Sequence, residues 1–360
     1  MSSEPPSPAF DFEAHKNKTV SDYLRVESYY KDFALSVARI LDECLKRKQI
    51  KIHSIQNRQK DPNSLGKKAC IPSDTDPSLP KYENPLKEIT DLAGIRIIAH
   101  FPGTIDEIDK VLREEFDIAE FSDKGRKLIE DEKFGYQSMH YLVRVKADRA
   151  RLAEYQRFSG ALAEVQVRTI LQHAWAEIEH DIQYKSSTAI PNQIRRRFMA
   201  LAGMLEIADR EFQAIEDTDK ELEDAAEASI SEGVFSDIEI TPKSLKLFLD
   251  RKLGPDGRIS DWSYDWYVKL LKRLGFENID QIETAISKYN DNKLSDVAAG
   301  SRQGQTTRFE YMLMAAMGED FIKRHLWVDQ VWFESNCRNS LEKFSKAGIP
   351  ISTYKMSPRV

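Results

Sequence analysis

The chain has 360 residues, 41% of them hydrophobic and 31% charged, a globular composition that excludes general disorder and is too long for one ordinary core. Its net charge of −6 excludes a whole-protein basic footprint for nucleic acid, although 53 Lys and Arg can still build local patches. Cys44, Cys70 and Cys337 lie far apart without a CxxC pair, which excludes a conventional structural zinc site and gives no disulfide framework.

Residues 1–18 are rich in Ser, Pro and Glu and lack an apolar signal-peptide core, so they are expected to form a mobile tail. No apolar run reaches membrane-spanning length, and the cytoplasm is the expected location. Between about Val20 and Lys48, the positions Phe33, Val37, Ile40, Leu41, Cys44 and Leu45 predict one long amphipathic helix. Residues 51–68 mix strand-like and helical signals around the basic set Arg58, Lys60, Lys67 and Lys68 with Ser64. Four prolines between Pro72 and Pro85 predict a loop.

The next hundred residues read as an α/β unit. ITDLAGIRIIAHF, at 89–101, is a strongly apolar strand candidate. A helix is predicted to start at Thr104, with Glu107 completing a capping box and Ile105, Ile108, Val111, Leu112 and Phe116 forming its stripe. A polar loop, 122–133, leads to a strand from Ser138 to Val145, and LAEVQVRT gives another. The helix from Ile170 is expected to face Leu171, Trp175, Ile178 and Ile182 toward the core, and a helix over 192–216 follows with a basic start at Arg195, Arg196 and Arg197. From about Glu232 the segments 242–253, 263–274, 280–289, 307–324 and 330–346 read as helices carrying no chemical motif. There Trp262, Trp266, Trp327 and Trp332 are expected in the core or at a partner contact.

The chemistry-bearing residues stand out within this frame. In LAEVQVRT, Glu164, Gln166 and Arg168 alternate with Ala163, Val165 and Val167, so a strand would carry an acid, an amide and a guanidinium on one face. That set suits a metal and a phosphate, and equally the solvated face of an ordinary amphipathic strand. Asp91 and Arg96 are five apart and would face opposite ways in a straight strand, so sharing a site needs a turn, for which Gly94 is the candidate. Standing alone, Asp91 reads as a helix or turn cap. In FGYQSMHY, Tyr136 and His140 flank a turn at Gly135, with base stacking and phosphate contact set against ordinary burial. His173 and His180, seven apart near Glu177, do not have the spacing of a helical zinc motif.

Taken in order, RQKDPNSLGKK (58–68), DLAGIRI (91–97), GYQSMHYLV (135–143), EVQVRT (164–169) and WAEIEHDIQYK (175–185) resemble the synthetase domain of the RelA/SpoT family, over about residues 20–220. The resemblance implies an α+β fold. Its core would be a mixed β-sheet of nucleotidyltransferase-like type flanked by helices at 19–220. Outside the resemblance, the mainly helical region at 232–360, separate in composition and without catalytic groups, is expected to regulate or bind a partner. The resemblance implies transfer of pyrophosphate from ATP to the 3′-hydroxyl of GDP or GTP. Asp91 and Glu164 would be catalytic and hold Mg²⁺, with Glu164 also the family's general-base candidate. Arg58 and Arg96 would sandwich the adenine, while Lys60, Ser64 and Lys68 hold the ATP phosphates. Tyr136, His140, Gln166 and Arg168 would bind the acceptor.

Small members of the family often self-associate, so a homo-oligomer is expected. Glu132 and Phe134 stand where guanine-using members tend to carry Lys and Asn, and Gln137 where Arg is frequent. These departures, with the basic set at Arg195 to Arg197, keep the 3′ end of tRNA open as an alternative acceptor. A silent nucleotide-sensing domain is the non-enzymatic alternative.

Overall fold

The structure is a computed structural model that describes residues 10–123, 138–185, 192–256 and 260–355. The chain divides into two compact units, Met1–Ile215 and Glu216–Val360.

The first unit opens with α1 (Phe12–Leu24) and α2 (Glu27–Arg47), followed by β1 (Ile52–Gln59) and α3 (Pro62–Ala69). The short α4 (Pro85–Glu88), β2 (Ala93–Ala99), α5 (Pro102–Glu115) and β3 (Phe116–Asp123) come next. After them stand β4 (Met139–Val145), the short α6 (Ala147–Ala150), β5 (Ala163–Thr169), α7 (Ile170–Lys185) and α8 (Asn192–Glu232), within which the division falls. The five strands form one mixed sheet ordered β1-β2-β5-β4-β3, in which β2 and β5 are parallel and the other pairs antiparallel.

Alternation along β5 sets the sheet's two faces. Ala163, Val165, Val167 and Thr169 are buried, and Glu164, Gln166 and Arg168 between them are not. The buried face joins Ile95 and Ile97 of β2 and packs on Phe33, Val37 and Leu41 of α2 and Ile108 and Leu112 of α5. Burying a valine completely contributes about 1.5–3 kcal/mol. A one-residue slip of β5 would exchange that gain for three buried polar side chains, so the register is firmly specified.

Several sequence expectations are corrected here. The tail expected over 1–18 gives way at Phe12 to α1, because Asp11 caps it by accepting from the Ala14 N–H at 2.9 Å. His15 Nε2 also lies 3.0 Å from the Tyr82 carbonyl, which ties α1 to the long loop. The single helix expected over 20–48 is broken by a turn at Arg25 and Val26. Helix α5 starts at Pro102, not Thr104, and no capping box forms; the Gly103 N–H donates to Gln213 Oε1 of α8 at 2.7 Å instead. Ile178, expected in the core, is 56% exposed, whereas Trp175 packs on Phe198, Ala202 and Leu205.

The second unit is helical, with α9 (Pro242–Leu253), α10 (Asp261–Leu274), α11 (Ile279–Ile286), α12 (Asp291–Ala299), α13 (Gln305–Met317), α14 (Glu319–Arg324) and α15 (Val331–Lys346). The one helix expected over 307–324 is two, parted at Gly318, whose φ of 59° few L side chains adopt. Of the four tryptophans, Trp266 packs on the core, while Trp262, Trp327 and Trp332 are exposed. Among the described residues no helix is long and apolar enough to cross a membrane.

Candidate active site

The polar face of the sheet opens into a cavity of about 460 Å³, walled by the ends of β1 and β2, the start of α3, and β5. Pairing places Arg58 opposite Gly94 and Gly94 opposite Glu164 in one row, with Gln56, Arg96, Gln166 and His140 in the next. Gly94, without a side chain between Arg58 and Glu164, leaves the hollow at the centre of its row. It is not the residue that turns the backbone. It is paired on both sides within β2, and the bend lies at Leu92, one residue before the strand. That bend brings Asp91 to the same cavity as Arg96, which strand parity alone forbids.

Asp91 is gripped from two sides. Lys60 binds its Oδ2, and Lys68 of α3 reaches Oδ1 at 3.1 Å. Burial pushes the Asp91 carboxyl up, but hydrogen bonds and charge from Lys60 and Lys68 outweigh it and hold the pKa below the ordinary carboxylate range. The Lys60 backbone is itself anchored, since its N–H donates to the Leu92 carbonyl and its carbonyl accepts from the fully buried Tyr23 hydroxyl at 2.7 Å. Helix α1 therefore helps to set one side of the site. Asp61 also lines the cavity, but its carboxylate is engaged as the N-cap of α3, accepting from the Ser64 N–H at 2.8 Å.

Glu164 lines the same cavity as Asp91. Burial pushes its carboxyl up and Asp91 adds to this, yet His140 and Gln166 lower it on balance. His140 Nδ1 lies 2.8 Å from Oε1, and Gln166 Nε2 donates to Oε2 at 3.2 Å. Gln166 in turn accepts from Arg168 at 3.1 Å, so the alternating polar residues of β5 form one hydrogen-bonded file. The Arg168 guanidinium has its pKa lowered by burial and by Arg96, and among the described residues its Nε has no partner.

The cavity thus gathers Arg58, Lys60, Ser64, Asp91, Arg96, Glu164 and Gln166 from the sequence-expected set. Lys68 touches Asp91, His140 stands beside Glu164, and Arg168 joins through Gln166. Tyr136 lies outside the described residues, as do Glu132, Phe134, Gly135 and Gln137. Sequence reasoning named Glu177 only in a rejected zinc spacing and missed it as a partner of Arg96: its carboxylate accepts from Arg96 at 2.9 Å and lies 3.7 Å from His173 Nδ1. It also missed Gln56 and Asn57 in the wall; the parity of Gln56 with Arg58 along β1 was the available signal for the first.

Residues 57–189 match the family described as the region found in RelA / SpoT proteins. The GTP pyrophosphokinase YjbM of Bacillus subtilis (strain 168) is 30% identical over 143 residues, which is 38% of this chain and 62% of that protein. The GTP pyrophosphokinase YwaC of the same organism is 30% identical over 130 residues, 36% of this chain and 59% of that protein. The match thus spans about three fifths of the curated relatives' length. The crystal structure of the small alarmone synthetase 1 from Bacillus subtilis aligns at 22% identity and a TM-score of 0.45, covering 56% of this chain and 99% of that one. Residues 57–189 thus match the region found in RelA/SpoT proteins, and part of that stretch is similar to two GTP pyrophosphokinases.

Proposed function

We propose that residues 19–220 transfer pyrophosphate from ATP to the ribose 3′-hydroxyl of GDP or GTP, releasing AMP and making (p)ppGpp. The observation that carries this reading is that Asp91 and Glu164, distant in sequence, share one cavity as ionised groups amid Arg58, Lys60, Lys68 and Arg96. The relatives' names, both GTP pyrophosphokinases, support it.

Phosphoryl-type transfer asks the protein for positioning and charge more than for covalent chemistry. Arg58 and Arg96, on neighbouring rows of the sheet, offer guanidinium planes to the adenine. To do so Arg96 exchanges Glu177 for the base. Lys60 and Lys68, now on Asp91, and Ser64 turn to the triphosphate. Asp91 and Glu164 would hold Mg²⁺, being hard, ionised oxygen donors in the number this ion ordinarily takes from a protein. When bound, the ion would neutralise charge on the phosphates. Glu164's lowered proton affinity suits that duty better than general-base work. Arg168, Gln166 and, from outside the described residues, Tyr136 serve the acceptor. Residues 232–360 are assigned regulation or partner binding, which truncation beyond about residue 225 with unchanged synthesis and effector response would refute.

The test is to incubate the protein with labelled ATP and, separately, GDP, GTP and deacylated tRNA. AMP release with label in the guanine nucleotide is the expected result. Label in tRNA alone would replace the acceptor, and nucleotide binding without AMP release would leave a sensing domain.

A further inference from the structure

We infer that His140 is a positioning residue that holds Glu164 from the neighbouring strand, in a ring tautomer set by the Glu164 carboxylate with Ser138 on the other nitrogen, and not a ligand of the acceptor's phosphates. The inference rests on reading the cavity as a pyrophosphate-transfer site and names how one of its two acids is aimed.

The geometry is a three-residue chain. His140 lies opposite Gln166 in the β4–β5 ladder, on the polar face, one step along from Glu164. Its Nδ1 is 2.8 Å from Glu164 Oε1, and its Nε2 is 2.9 Å from the Ser138 hydroxyl. Both Ser138 and His140 are only 8% exposed. A carboxylate can only accept, so Nδ1 must carry the proton it donates. A neutral imidazole has one ring proton, which leaves Nε2 bare and makes Ser138 the donor to it.

Two consequences follow. With both nitrogens used and the ring enclosed, His140 has no free donor for a phosphate; serving as one would require breaking the chain. Glu164, in contrast, has one oxygen fixed by His140 and the other by Gln166, each keeping lone pairs for the cavity. A glutamate aimed in advance spends less rotamer freedom when its ligand arrives. The arrangement parallels the partners that orient metal-binding side chains from outside the ligand shell.

The tautomer is tested first, because it needs no turnover. The nucleotide-free protein, carrying ¹⁵N in its imidazole rings, is measured at about pH 8, above the ordinary imidazole range. Two-bond ¹H–¹⁵N correlations, assigned with His140→Asn, should place the proton on Nδ1. In Glu164→Ala, which removes the acceptor facing Nδ1, the population should move toward the Nε2-protonated ring, since the Ser138 hydroxyl can accept as well as donate. A wild-type proton on Nε2, or an unmoved population in Glu164→Ala, overturns the inference.

Kinetics then separate positioning from binding. His140→Ala should lower kcat by about 10- to 100-fold and leave the acceptor KM within about twofold. His140→Asn, whose amide nitrogen falls near the Nδ1 position, should recover most of the loss. A raised acceptor KM with kcat preserved would make His140 a phosphate ligand, and an Asn variant no better than Ala would end the donor role. A wild-type protein without turnover would instead sink the transfer reading while the tautomer result still judged the geometry.

Discussion

Three partly buried acids in the two units have opposite fates. In the first unit, burial raises the Glu164 and Asp91 carboxyls, but His140 with Gln166, and Lys60 with Lys68, bring both below the ordinary range. In the second, burial raises the Glu310 carboxyl, and the Tyr267 hydroxyl at 2.9 Å lowers it too little to offset that rise. Burial is thus common to core and site. What distinguishes the site is that the fold supplies cations and donors to keep its acids ionised, at a cost a plain core avoids. The second unit solves its other polar burials structurally: the buried Arg308 binds Asp291 and donates to the carbonyls of Gln303 and Leu253.

The comparison can be broken most forcefully at the site. Asp91→Asn and Glu164→Gln should each lower AMP release by about a thousandfold or more, with far-UV circular dichroism unchanged. Near-normal turnover in either would mean that the charged acids are structural after all. Next in size, Arg308→Ala strands Asp291 and two carbonyls, and should cost the second unit about 3–5 kcal/mol in denaturant unfolding. A loss below 1 kcal/mol would show the network to be dispensable.

pH sharpens the same contrast. The enclosed His325, stacked 4.1 Å from Phe333, has its pKa pushed down by burial to about 4. Its neutral ring is the folded form, so its contribution is present above pH 6.5 and is lost as pH falls toward 4, up to about 3 kcal/mol. Glu310 has the opposite sign: its folded pKa is raised, so its contribution is full below the ordinary carboxylate range and is lost as pH rises through the folded value. Replacing it in Glu310→Gln should therefore flatten the decline of second-unit stability at higher pH, read from chemical denaturation at several pH values. The smallest effect is expected at Glu177, which is half exposed and paired with Arg96. Glu177→Gln should change stability by less than about 1 kcal/mol and lower the KM for ATP, because Arg96 no longer has to leave a carboxylate.

The site was more legible than the scaffold that aims it. The run AEVQVRT announced its two faces through strict alternation, and the structure keeps them. The strand β3 was hidden because Phe116–Asp123 alternates poorly and its pairing with β4 shifts register between Ile118 and Glu120, so its end read as loop. Helix α12 was passed over because it buries only Leu294 and Ser295, too little for an apolar period. The first turns of α1, Phe12 to Lys18, looked like tail because Ser, Pro and Glu dominate the first residues, while the His15 contact with the Tyr82 carbonyl that ties them down is long-range. The pairings Arg96–Glu177 and His140–Glu164 depend on register and helix placement, which local composition does not encode.

Divalent-metal-dependent ATP binding tests the central claim most directly, namely that Asp91 and Glu164 act together on one metal–triphosphate complex. With Mn²⁺ as the paramagnetic probe, the wild-type protein should bind Mn·ATP far more tightly than metal-free ATP, and Asp91→Asn and Glu164→Gln should each erase that difference while leaving metal-free binding in place. Variants that bind Mn·ATP as tightly as the wild type would contradict the account.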